Sequence, residues 1–116
     1  MAGENNKINR VLWVGKQLQN IKNGLRILDA GAGEQAFKHF CNHLIYTSQD
    51  FCQYKGGDKK ALQNEIWDYG KTDIISDITN IPKENKSFDV ILCTEVFEHI
   101  PDPIKVLKEF NRLLTQ

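Results

Sequence analysis

The chain has 116 residues, with 15 basic and 15 acidic side chains and a formal net charge of +0. That length allows one domain with a modest core, and the cancelled charge excludes a global field that would draw nucleic acid or an anionic membrane, so local sites must carry function. Three cysteines (Cys41, Cys52 and Cys93), odd in number and without CxxC spacing, argue against a disulfide framework or zinc site and for a reducing, cytoplasmic setting. No basic-then-apolar leader follows Met1, and no apolar run approaches the roughly eighteen residues of a membrane span.

Residues 1–7 are polar and expected to fray. Ile8, Val11, Leu12, Gly15, Leu18 and Ile21 then recur at helical spacing, with Asn23-Gly24 as the stop. This helix should pack against a sheet or close over its carboxyl edge. Leu25 to Leu28 predict the first strand, Asp29 closes it, and Gly31 and Gly33 turn the chain. Ala36, Phe37, Phe40, Cys41 and Leu44 predict the apolar stripe of a following helix. The second strand is read over Leu44-Ile45-Tyr46-Thr47, ending near Asp50.

Periodicity fails from Phe51 to Lys71, where Gly56-Gly57-Asp58-Lys59-Lys60 reads as a loop with weak helical character after it, around Ala61 to Trp67. A connection of this length is usually functional or mobile. Asp73 to Asp77 predict a third short strand. Phe88 to Cys93, where Val90, Ile91, Leu92 and Cys93 run without alternation, predict a parallel strand covered on both faces. Asp102 is placed as the N-cap of the last helix and Pro103 at its first position, with Val106, Leu107, Phe110, Leu113 and Leu114 as the buried face.

Alternating strands and helices predict an α/β fold, a Rossmann-like three-layer α/β/α sandwich around a parallel sheet. Ligands of such sheets sit beyond the carboxyl ends of the strands, where this sequence sets one acid per strand: Asp29, Asp50, Asp77 and Glu95. Gly31-Ala32-Gly33-Glu34-Gln35-Ala36 fits the loose dinucleotide pattern, and Asp50 follows at about the distance expected of a ribose-binding acid, so an NAD-type oxidoreductase is one reading. A pyrophosphate over that turn would meet Asp29 and Glu34, however. S-adenosylmethionine has no phosphate and offers an ammonium, a sulfonium and a ribose diol, so the acids favour it. On this reading Gly31 and Gly33 admit the methionyl part, Asp50 accepts from the ribose hydroxyls, and Asp77 accepts from the adenine amino group while Ile78 packs on the ring.

Leu28-Asp29-Ala30-Gly31-Ala32-Gly33, Asp50, Ser76-Asp77-Ile78 and the long segment from Ser87 through Thr94-Glu95-Val96-Phe97-Glu98-His99 to Pro103 together resemble the class I S-adenosylmethionine-dependent methyltransferases. The resemblance covers most of residues 25–116, with 1–24 as an N-terminal helix. It implies methyl transfer to a nucleophilic atom of an unidentified acceptor, small-molecule or otherwise. It also implies a sheet ordered 3-2-1-4 with three further strands, and Thr94 and Glu95 beside the cofactor. Two departures stand out: Thr47-Ser48-Gln49 replaces the usual apolar residues before the acid, and the sequence given ends in the helix after the fourth strand. The expectation is therefore a truncated, cofactor-binding half with its C-terminal strands missing, whose fourth strand is an apolar edge open to self-association. A non-catalytic remnant that binds a partner along that edge is a further alternative.

Glu95, Glu98 and His99 fall on one face if their segment turns helically, and similar triplets hold a divalent ion in some O-methyltransferases. They are the only catalytic or metal candidates. The preferred reading assigns no metal and has Glu98 and His99 satisfying backbone groups, because three such ligands without a fourth are a weak metal signal. His39 and His43 are expected at the surface, Lys59-Lys60 in solvent, and Trp13, Trp67 and Tyr69 in core or loop packing rather than an acceptor pocket.

Overall fold

The computed structural model describes residues 2–52, 71–94, 100 and 102–115. The elements are helix α1 (Ala2–Gln19), strand β1 (Arg26–Ala30), a 3-10 turn (Lys38–Phe40), β2 (Ile45–Asp50), β3 (Ile74–Ile75), β4 (Val90–Leu92) and helix α2 (Pro103–Leu113). All pairings are parallel, in the order β3-β2-β1-β4. This is the expected order.

Because successive strand residues point to opposite faces, β1 divides the core in two. Ile27 joins Leu18, Phe37, Cys41 and Leu44 beneath α1, while Leu28 and Ala30 join Ile74, Ile81, Phe88, Val106, Phe110 and Leu113 beneath α2. Helix α1 is longer than its apolar pattern suggests, running from Ala2 through the polar residues expected to fray. Its inward face is Val11, Val14, Gly15 and Leu18, whereas Ile8, Leu12 and Trp13 are exposed. Trp13 thus takes no part in core packing. Gly15 sits so close to Phe40 that a Cβ there would lie 2.5 Å from the ring.

The helix expected after the glycine turn is absent. Gly31, Gly33 and Gln35 all take positive φ (68°, 54° and 62°), which consumes the residues an α-helix would need to nucleate, and the chain makes one 3-10 turn before β2. Phe37, Cys41 and Leu44 still reach the core, but Ala36 is exposed.

Strand β4 is half-buried rather than covered on both faces. Just before the strand, Phe88 N–H donates to Leu113 O at 3.0 Å and Thr115 N–H to Phe88 O at 2.9 Å, a parallel bridge that covers the first residue of the edge expected to be open. Arg26 braces β1 to the start of β4 through Asp89, with Nε to Oδ2 and Nη2 to Oδ1 both at 3.2 Å. Helix α2 begins as expected, with Asp102 Oδ1 accepting from Lys105 N–H and Pro103 in the first turn. It buries Val106, Phe110 and Leu113, while Leu107 points to solvent. Glu109 ties it to the β3–β4 connection, with Oε2 accepting from Ile81 N–H at 2.7 Å and from Arg112 Nη2 at 2.7 Å. No helix among the described residues is long and apolar enough to cross a membrane.

Candidate functional site

The carboxyl ends of β1, β2 and β3 meet at the glycine turn, and two clefts open on either side of Gly31. The larger, about 470 Å³, includes Gln49, Asp50, Phe51, Asp77, Ile78 and Thr79 from the β2 and β3 ends, with Ile100, Asp102 and Lys105 opposite. The smaller, about 270 Å³, is walled by Asp29, the turn from Gly31 to Glu34, Ala36 and Phe37 below, Thr94 at the end of β4, and Lys7, Arg10 and Val11 of α1 above. Helix α1 thus meets both placements its amphipathic pattern allowed, packing on the sheet through Leu18 and reaching over its carboxyl edge with Lys7, Arg10 and Val11.

Asp29 is the buried charge of the site, 3% exposed. Its Oδ2 accepts from the Tyr46 hydroxyl at 2.5 Å. Burial pushes its carboxyl up to about 6, opposed by the Tyr46 hydrogen bond and reinforced by the Asp50 charge. A buried carboxylate is costly unless something balances it, and Lys7 and Arg10 stand on the same cleft.

The amides of the glycine turn are already engaged. Gly31 N–H donates to Gln49 Oε1 at 3.0 Å, Ala32 N–H to Gln49 O at 2.9 Å and Gly33 N–H to Asp50 Oδ1 at 3.1 Å. The other Asp50 oxygen, Oδ2, accepts from Cys52 N–H at 2.8 Å. A Cβ on Gly33 would meet nothing within 4 Å, so its positive φ, not crowding by the protein, is what calls for glycine there.

Two of the three polar residues that depart from the family pattern, Ser48 and Gln49, have structural partners. Ser48, fully buried, exchanges hydrogen bonds with Asp73: its N–H donates to Oδ2 at 2.9 Å and Asp73 N–H donates to its Oγ at 2.9 Å. Gln49, 1% exposed, spans the site, with Oε1 on the glycine turn and Nε2 donating to Ser76 O at 2.8 Å. These side chains extend a β2–β3 ladder whose strand pairing is only two residues long.

Asp77 is exposed, and its Oδ1 accepts from Thr79 N–H at 2.8 Å and Thr79 Oγ1 at 2.6 Å. Those bonds, aided by Lys105, hold it below the usual carboxylate range. The structure therefore brings Asp29, Gly31, Gly33, Asp50, Asp77, Ile78 and Thr94 to one edge. The rim is less uniformly acidic than expected, since Lys7, Arg10 and Lys105 line it too. The sequence reading missed these cations along with Tyr46, Gln49 and Thr79; the only available signal was the polar break in β2. Glu95, Glu98 and His99 lie outside the described residues, as do Lys59, Lys60, Trp67 and Tyr69. Among the described residues no cluster of metal-ligand side chains is present. His39 is exposed and stacks on Phe40, while His43 Nε2 contacts Ile21 O at 3.0 Å, away from the site.

Residues 7–116 match a family described as a methyltransferase domain. No curated protein matches the chain. Among solved structures, the chain is similar to an S-adenosylmethionine-dependent methyltransferase from Aquifex aeolicus (TM-score 0.64, 20% identity, 90% of this chain and 57% of that one). It is similar also to the YcgJ protein of Bacillus subtilis (TM-score 0.65, 20% identity, 93% of this chain and 47% of that one). A third likeness is an N-methyltransferase from Haemonchus contortus in complex with phosphomonomethylethanolamine and S-adenosylhomocysteine (TM-score 0.67, 20% identity, 91% of this chain and 26% of that one). The chain thus spans about half the length of the first two structures and a quarter of the third.

Proposed function

Because the chain belongs to the methyltransferase domain family, we propose that its two clefts bind S-adenosylmethionine and that the protein transfers the methyl group to a nucleophilic atom of an acceptor. The observation that carries this reading is the state of the glycine turn. A pyrophosphate over this turn would need its amide donors and a helix N-terminus behind them. Here the donors of Gly31, Ala32 and Gly33 are held by Gln49 and Asp50, only a 3-10 turn follows, and Asp29 and Glu34 stand beside the glycine turn. An NAD-type ligand is disfavoured on each count.

A zwitterionic amino acid suits the smaller cleft, where the Asp29 carboxylate would meet its ammonium and Lys7 and Arg10 its carboxylate. An adenosine suits the larger one. Asp50 retains a second acceptor site on each oxygen for ribose hydroxyls, while Ile78, Ile100 and Phe51 offer apolar surface to the base and Asp77 an acceptor to its amino group. Gly31 lies on both clefts, where the two halves of the ligand would join. The cofactor supplies an electrophilic methyl on a sulfonium. The residues described here bind and orient it, and positioning of this kind can account for roughly 7–11 kcal/mol of a displacement barrier.

The test is thermal unfolding with S-adenosylhomocysteine and with NAD. At one hundred times its dissociation constant a ligand that binds only the native state stabilises it by about 2.7 kcal/mol, so S-adenosylhomocysteine should raise the melting temperature clearly and Asp29→Ala should abolish the rise. A response to NAD and none to S-adenosylhomocysteine would refute the assignment.

A further inference from the structure

Tyr46 stands opposite Ile27 in the β1–β2 register, which puts it on the same face of the sheet as Asp29 and two residues below it. Its hydroxyl reaches diagonally up to Asp29 Oδ2, and Lys38 Nζ lies 5.8 Å from the centre of its ring. Burial and the neighbouring carboxylate push the phenol far above its ordinary range, so it remains a donor. We propose that Tyr46 is a positioning residue acting through Asp29: its phenol holds Oδ2, stabilises the carboxylate as the anion, and leaves Oδ1 for the ammonium of the ligand. This rests on the cofactor reading above.

The surroundings make such a device necessary. Asp29 is buried, Asp50 on β2 and Glu34 on the turn are like charges, and Cys41, a buried thiol pushed up to about 11, brings no cation. Lys7 and Arg10 reach the cleft only from α1, and Thr94 at the end of β4 is neutral. Tyr46 is the neutral donor bonded to the carboxylate itself. A phenylalanine in its place keeps the packing and removes only that donor.

The experiment is calorimetric titration of S-adenosylhomocysteine into wild-type and Tyr46→Phe protein across pH 5.5–8.5, with a carbon-13 NMR titration of the Asp29 carboxyl in both without ligand. Losing one donor to a buried anion should raise the Asp29 midpoint by about one unit, weakening binding by roughly five- to tenfold at pH 5.5 but by less than about threefold at pH 8.5. Equal loss at both pH values, no loss, or an Asp29 midpoint unmoved in the variant would each overturn the proposal. Should Tyr46→Phe fail to fold, site-specific 3-fluorotyrosine at position 46 keeps the shape and strengthens the donor, and it should move the Asp29 midpoint down; an unmoved midpoint again overturns it. If wild-type protein binds no S-adenosylhomocysteine at any pH, the cofactor reading fails, and the ligand-free NMR titration still decides the role of Tyr46.

Discussion

Asp29→Asn is expected to stabilise the fold while damaging the site. The wild-type carboxyl is 3% exposed and lifted from an ordinary 3.8 to about 6. Between those values the folded protein holds a proton that the unfolded chain has lost, so stability falls as pH rises through the window and the full penalty stands above it. The displacement corresponds to about 3 kcal/mol. An asparagine carries no charge to bury, and its amide oxygen can accept from Tyr46 as the carboxylate does. The variant should therefore gain up to about 3 kcal/mol over wild type at pH 7.5, or roughly 10 °C in melting temperature for a domain of this size. That gain should shrink to a constant offset near pH 4. Urea unfolding of both proteins at pH 4, 5, 6 and 7.5 measures the difference directly, and other acid-sensitive groups cancel in the comparison. S-adenosylhomocysteine should bind the variant about 10- to 100-fold more weakly, as expected when a charged hydrogen-bond partner worth roughly 1.5–3 kcal/mol is neutralised. A stability difference that stays flat from pH 4 to 7.5 would refute the claim that burial of this charge opposes folding.

Asp89 and Glu109 have the opposite sign: Arg26 holds Asp89 down to about 2, and Arg112 with Ile81 N–H holds Glu109 below its usual range. Their stabilisation stands at neutral pH and is lost as pH falls from the ordinary carboxylate range through those lower values, so Asp89→Asn should flatten the acid limb of a stability–pH curve. Gly15→Ala should destabilise by about 1–2 kcal/mol in a chemical denaturation curve despite the better helix propensity of alanine, because its Cβ falls on the Phe40 ring; in a Phe40→Leu background the same change should become neutral or favourable. Gln49→Leu leaves Gly31 N–H and Ser76 O without their partner and should cost about 2–4 kcal/mol, with a matching loss of S-adenosylhomocysteine affinity by calorimetry.

Features written in short stretches of chain were legible. Leu25 to Gly33 reads as strand, acid and turn because an apolar run, a carboxylate and two glycines act within a few residues of one another. The Asp102–Pro103 helix start is equally local. The first crossover was misread for an instructive reason. Ala36, Phe37, Phe40, Cys41 and Leu44 have helical spacing, but positive φ at Gln35 and the short distance to β2 leave room only for a 3-10 turn, and tertiary packing of Phe37, Cys41 and Leu44 supplies the burial that suggested a helix. Leu12 and Leu107 show the same limit, since a hydrophobic residue at a fitting interval faces inward only if a neighbour is there to cover it.

By itself the sequence determined a parallel sheet and an edge bearing Asp29, Asp50 and Asp77 around two glycines, because alternation, turn residues and strand-end acids are local and periodic signals; the strand order was implied only by the family resemblance. Only the tertiary structure decided what that edge can hold. It brought Lys7 and Arg10 over Asp29 from α1, placed Tyr46 beneath that carboxylate, and closed the turn's amides onto Gln49 and Asp50. Those contacts join residues 17 to 22 positions apart, and register and burial, not spacing, determine which of them meet.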